Sequence, residues 1–123
     1  MRLYTMLWVG LTIIAPAQGA MAAATPARSA AGLLVGASGL TLYTYDADTT
    51  PGKSDCTGPC AALWPPYAAD AAANASGDYS VINRADGSHQ WAFKAKPLYL
   101  YAADQKPGDT VGDGVNDVWH IVH

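Results

Sequence analysis

The side chains best suited to chemistry here are two cysteines, three histidines and ten aspartates, and their spacing narrows what that chemistry can be. Cys56 and Cys60 flank Thr57-Gly58-Pro59. In an oxidising compartment an even cysteine count at short spacing reads as a disulfide, and Gly and Pro permit the tight turn. A ring this small adds about 2 kcal/mol of stability through loop-closure entropy. The alternatives are a redox pair or half of a metal site, but thioredoxin-like pairs carry two intervening residues beside a βαβ pattern. Among the imidazoles, His120 and His123 point to opposite faces of an extended strand and make a poor metal pair. His89 and His120, with nearby aspartates, remain as candidate metal ligands; no cofactor is expected. Asp109, Asp113 and Gly114 are spaced like positions one, five and six of a calcium loop. Val111 and His120 then fall where an oxygen ligand is required, so a turn-rich loop is the better reading.

Hydrolytic chemistry finds little support. Gly36-Ala37-Ser38-Gly39 lacks the Gly-x-Ser-x-Gly spacing of a nucleophile elbow. Paired cysteines leave no thiol nucleophile. Two aspartates can serve a glycosidase, yet every aspartate here has a turn-forming explanation. No catalytic residue is assigned, and a non-enzyme is expected.

The aromatic residues are more informative, because they repeat. Leu42-Tyr43-Thr44-Tyr45-Asp46-Ala47-Asp48-Thr49-Thr50-Pro51-Gly52 aligns with Leu98-Tyr99-Leu100-Tyr101-Ala102-Ala103-Asp104-Gln105-Lys106-Pro107-Gly108, and seven of the eleven positions are identical. Gly58 then matches Gly114, and Trp64 matches Trp119 after one gap. Residues two apart on a strand share a face. Tyr43 and Tyr45 therefore point one way and Leu42 and Thr44 the other; Tyr99 and Tyr101 likewise oppose Leu98 and Leu100. Asp48 and Asp104 stand where each strand must stop. A carboxylate there can accept N–H bonds from the next residues as an Asx-turn, with Pro-Gly supplying the bend. Folding alone explains this motif; the functional reading makes the four tyrosines a stacking platform for a sugar or another flat ligand, since the ring suits both roles.

The elements that must position these residues read mostly as strands. Leu33–Val35 and Leu40–Tyr45 flank the turn Gly36–Gly39, and Tyr79–Arg84 and His89–Lys94 flank Asp86-Gly87, a strong hairpin signal. Asp46–Pro66 is a long irregular stretch. Tyr67–Gly77 is either a short helix or a surface loop. Val118–Val122 is an apolar terminal strand. Two such units can bury together an apolar face that neither buries alone.

The first residues read as a leader. Arg2 is followed by an apolar run from Leu7 through Ala17, then by small residues with Ala20-Met21-Ala22 and Ala22-Ala23-Ala24 as cleavage patterns. A membrane anchor needs about 18 or more apolar residues, and Pro16 and Gln18 interrupt this run. No cysteine lies near the cleavage region to carry a lipid. All three methionines leave with the leader, so the mature chain offers no thioether for a Cu(I) carrier. About 100 residues remain, enough for one domain with a modest core. Loss of Arg2 shifts the formal net charge from −3 to −4, which argues against nucleic acid and against an anionic membrane surface. Every acidic residue is an aspartate, and aspartate with glycine favours turns over helix surfaces.

At Tyr43–Asp48 and Tyr99–Asp104 the chain resembles a bacterial secreted-repeat family, described as predicted lipoproteins with a Tyr-x-(Phe/Trp/Tyr)-x-x-Asp motif. Pro51-Gly52-Lys53-Ser54, Cys56–Ala61, Trp64-Pro65-Pro66, Lys96–Tyr99 and Trp119-His120 extend the resemblance over nearly all of the mature chain. It implies an exported repeat protein without a catalytic residue set; the missing lipidation cysteine departs from the lipoprotein description.

The expectation is an all-β, mainly antiparallel barrel or sandwich carrying one disulfide ring. Residues 1–22 are a signal peptide cleaved between 20 and 24, residues 23–31 a flexible spacer, and residues 32–123 one domain with repeats at 33–66 and 89–123. Functionally it reads as a periplasmic or secreted monomer, not lipid-anchored. It would serve an unknown envelope or extracellular partner or small ligand, without nucleic acid or membrane span. A metal- or redox-responsive envelope protein is the alternative.

Overall fold

The structure is a computed structural model that describes residues 26–123; the expected leader lies outside the described residues. Among the described residues seven short strands form three antiparallel sheets. β1 (Arg28–Ala30) pairs with β2 (Leu33–Val35), and β3 (Tyr43–Tyr45) pairs with β7 (Trp119–Ile121). The third sheet joins β4 (Tyr79–Asn83), β5 (His89–Phe93) and β6 (Lys96–Pro97). No closed barrel forms among the described residues. The five-residue helix α1 (Pro59–Leu63) interrupts the stretch expected to be irregular. It has Pro59 at its start, where a missing N–H costs nothing. A 3-10 turn at Val115–Asp117 occupies the corresponding place in the second repeat.

One expectation needs correcting and one open choice is decided. Arg28–Ala30, assigned to a flexible spacer, is strand β1, and Ala27 before it is buried. Tyr67 secures this segment: its hydroxyl donates to the Pro26 carbonyl and accepts from the Ala37 N–H. Tyr67–Gly77 is a loop, tied by bonds from Tyr67 N–H to Leu98 O and from Ala69 N–H to His89 O.

The centre of the molecule lies between the repeats. Tyr43 and Tyr99 exchange both backbone bonds, N–H to O at 2.8 and 2.9 Å, so a local two-fold axis passes between them. The alternation read from the sequence holds on both sides of this pair. Tyr43 and Tyr99 lie in one buried cluster with Cys56, Trp64 and Trp119, and Tyr45 and Tyr101 pack against it. Leu42 and Leu98 face a second cluster with Ala27 and Leu34, joined by Leu100. Pleating therefore sends the tyrosines into one core and the leucines into another.

Cys56 and Cys60 are disulfide-bonded, with Cα atoms 5.2 Å apart. No free cysteine is found among the described residues.

Candidate functional site

The repeated aromatic residues assemble into one continuous stack. Trp64 and Trp119, one from each repeat, lie face to face with ring centroids 3.8 Å apart and planes 3° apart. Tyr45 stacks on the outer face of Trp119 at 4.2 Å, and Tyr101 on that of Trp64 at 4.0 Å. Each terminal tyrosine thus covers the tryptophan of the other repeat. The Tyr45–Trp119 contact follows from strand register, because these residues are directly opposed in the β3–β7 pair. Tyr43 meets Trp64 edge-on at 5.4 Å and Tyr99 meets Trp119 edge-on at 5.2 Å. That geometry sets the positive ring edge against a negative π face.

The motif carboxylates also cross between repeats. The Tyr43 hydroxyl donates to Asp104 Oδ2 at 2.6 Å, and the Tyr99 hydroxyl donates to Asp48 Oδ2 at 2.6 Å. The second carboxylate oxygen of each closes a loop: Asp48 Oδ1 accepts from Asp55 N–H at 2.6 Å and Asp104 Oδ1 from Val111 N–H at 3.0 Å. Both loops place the donor seven residues after the aspartate. The expected Asx-turn, bonding the next residues, is therefore replaced by a wider loop clamp joined to a cross-repeat bond. Two oxygens give the carboxylate capacity for both tasks.

The two halves differ around the phenols. Gly112 N–H donates to Tyr43 Oη at 3.2 Å. On the other side Ser54 Oγ lies 2.6 Å from Tyr99 Oη, and Arg84 Nη1 donates to Ser54 Oγ at 2.8 Å and to Gln90 Oε1 at 2.7 Å. Arg84 Nη2 donates to the Cys56 carbonyl at 2.7 Å, and buried Gln90 Nε2 donates to Leu98 O at 2.7 Å. Arg84 and Gln90 are site residues that sequence reading passed over. Gln90 carried a signal, since it shares the inward face of its strand with Ala92 just ahead of the apolar run Trp91-Ala92-Phe93.

Burial pushes both Tyr43 and Tyr99 well above the ordinary phenol range, and the carboxylates of Asp104 and Asp48 add to it. A tyrosine with a raised folded-state pKa supports the fold fully below its unfolded value, near pH 10, and that support is lost as pH rises further. Stability in urea is therefore expected to fall steeply above about pH 10. Tyr43→Phe/Tyr99→Phe should flatten that decline, as read from urea midpoints across pH. Asp48 is also raised, first by burial, against the opposing effects of Tyr99, the Asp55 N–H and Arg84. A raised carboxylate supports the fold at acid pH and withdraws that support as it ionises, so Asp48 does not drive acid unfolding.

Close packing at the stack makes one glycine hard to replace. A Cβ on Gly112 would lie 2.6 Å from Trp64 Cη2 and 3.0 Å from Tyr101 Cδ1. Both rings are held in the stack and cannot yield. Gly112→Ala is expected to cost about 1–3 kcal/mol, the usual range for overpacking, with calorimetric melting as the check.

The remaining candidates lie apart from this cluster. His89 Nδ1 sits 2.7 Å from Asn83 Oδ1 on β4–β5, and His120 Nε2 sits 2.8 Å from Asp46 Oδ2 on β3–β7. Asp109 caps the Gln105 and Lys106 N–H groups, and Asp113 accepts from Ile121 N–H. No group of three or more metal-ligating side chains occurs among the described residues. No helix among them is long and apolar enough to cross a membrane.

No curated protein and no solved structure matches the chain. A family described as a secreted repeat of unknown function matches it twice, over residues 26–68 and 80–123. These two matches contain the reciprocal Tyr–Asp pairs and all four stacked rings. The chain belongs to that secreted-repeat family.

Proposed function

We propose that this chain is a non-catalytic module of the bacterial periplasm or cell exterior, freed of its leader and without a lipid anchor. It would act as a rigid monomeric β scaffold that binds a partner or supports an envelope assembly. The observation that carries this reading is that the repeat motif consumes its own chemistry. The buried phenol of each motif, Tyr43 or Tyr99, is bonded to a motif carboxylate, and no buried side-chain N or O lacks a partner among the described residues. A site built to process substrate keeps groups unsatisfied or aimed into a cleft; these groups are turned inward. Tyr43 and Tyr99 expose no surface, so a flat ligand would reach only Tyr45 and Tyr101. The acidic net charge of the mature chain speaks for partners other than nucleic acid.

The competing reading, a metal-responsive envelope protein, has the exposed His120–Asp46 pair in its favour. Elemental analysis of protein purified from its native compartment separates the two. The scaffold reading expects metal-free protein whose melting is unchanged by added copper, zinc or iron. Stoichiometric metal would overturn it.

A further inference from the structure

The four-ring stack has a property that packing alone does not require. Its rings touch face to face from one end to the other, and the terminal rings, Tyr45 and Tyr101, are partly exposed while the tryptophans between them are buried. Electron tunnelling weakens exponentially with distance, so stacked π faces in contact are its short-range limit. Two further phenols meet the tryptophans edge-on, and each donates to a carboxylate at 2.6 Å. A phenol loses an electron far more readily when its proton has somewhere to go in the same step, because the protonated radical cation is a very strong acid.

We propose that the Tyr45–Trp119–Trp64–Tyr101 stack is a one-electron relay, with Tyr43–Asp104 and Tyr99–Asp48 as its proton-coupled terminal sites. The reaction partner is an outer-sphere one-electron oxidant, a high-potential metal complex, meeting the stack at Tyr45 or Tyr101. The oxidant takes one electron and is reduced by one unit. The hole passes through the tryptophan pair to Tyr43 or Tyr99. The phenol O–H bond breaks, its proton forms a new O–H bond on Asp104 or Asp48, and a neutral tyrosyl radical remains beside a neutral carboxylic acid. The Tyr99 site carries an extra feature, because the Arg84–Ser54 line also reaches the phenol oxygen. This relay goes beyond the scaffold reading and does not depend on it.

The test is flash-quench oxidation of the oxidised mature protein with photogenerated tris(bipyridine)ruthenium(III), followed by transient absorption and freeze-quench paramagnetic resonance. A tryptophan radical is expected first, then a tyrosyl radical that forms more slowly in D₂O. Tyr43→Phe/Tyr99→Phe keeps both rings and should abolish the D₂O-sensitive tyrosyl phase. Asp48→Asn/Asp104→Asn should slow that phase by about a hundredfold, the low end of what a positioned proton acceptor contributes. Trp91→Phe, outside the stack, should leave it unchanged. The proposal is overturned if the tyrosyl phase survives Tyr43→Phe/Tyr99→Phe, disappears in Trp91→Phe, or shows no sensitivity to D₂O.

Discussion

Trp119→Ala should remove about 3–5 kcal/mol of folding stability, the range for deleting a large buried aromatic ring. Trp119 is 3% exposed, stacks on Tyr45 and Trp64 and meets Tyr99 in a T-shaped contact. A cavity there opens between the two repeats, where no single unit can collapse to fill it. Small domains have only about 5–15 kcal/mol in total, so the variant sits close to unfolding at ordinary temperature. Trp64→Ala should behave alike, because the local two-fold axis gives it the same neighbours. Trp91→Ala, at a partly exposed position in the other cluster, should lose distinctly less. Urea titration of the three oxidised proteins, followed by circular dichroism, orders them. Equal midpoints for Trp91→Ala and Trp119→Ala would mean that the stack does not join the repeats.

The second large effect belongs to Asp104. Its carboxylate is buried and accepts from the Tyr43 hydroxyl and the Val111 N–H. Asp104→Ala should cost about 3 kcal/mol, since hydrogen bonds to a charged group are worth about 1.5–3 and buried donors are left unpaired. Removing the Tyr43 hydroxyl as well should restore part of that loss. The Asp104→Ala/Tyr43→Phe cycle should show a coupling of about 1–2 kcal/mol, within the range for groups in one network. Asp48→Ala should cost less, because Asp48 is less buried and the Tyr99 hydroxyl keeps Ser54 as a neighbour. Denaturant titration of the single and double variants measures all of these. Strict additivity would count against a cross-repeat bond.

The strand faces were legible because period-two alternation is a property of the chain itself. Tyr43 and Tyr45 could be separated from Leu42 by spacing alone, and self-alignment exposed the duplication. The route of the aspartates was not legible. Asp48 lies a few residues from Tyr45 in sequence, which suggests a local turn, whereas its bond goes to a hydroxyl 51 positions away. Which of several acceptors a buried phenol selects is decided by tertiary geometry, and no local pattern encodes it. Strand partners were hidden for the same reason: β3 continues directly from the first hairpin yet pairs with the last strand, β7. The segment around Ala27 looked like a spacer because alanine-rich composition is shared by tethers and by small residues that fill a core. Helix α1 was not legible, because Gly58-Pro59 reads as a turn and so short an element carries no periodicity to weigh.

The swapped Tyr–Asp pairing has a consequence for how such a unit can exist. Each half supplies what the other lacks, and the axis between Tyr43 and Tyr99 relates them as subunits of an isologous pair are related. The molecule is in effect a homodimer written into one polypeptide. Covalent tethering replaces a bimolecular encounter with an effective local concentration in the millimolar range, so association no longer depends on how dilute the exported protein becomes.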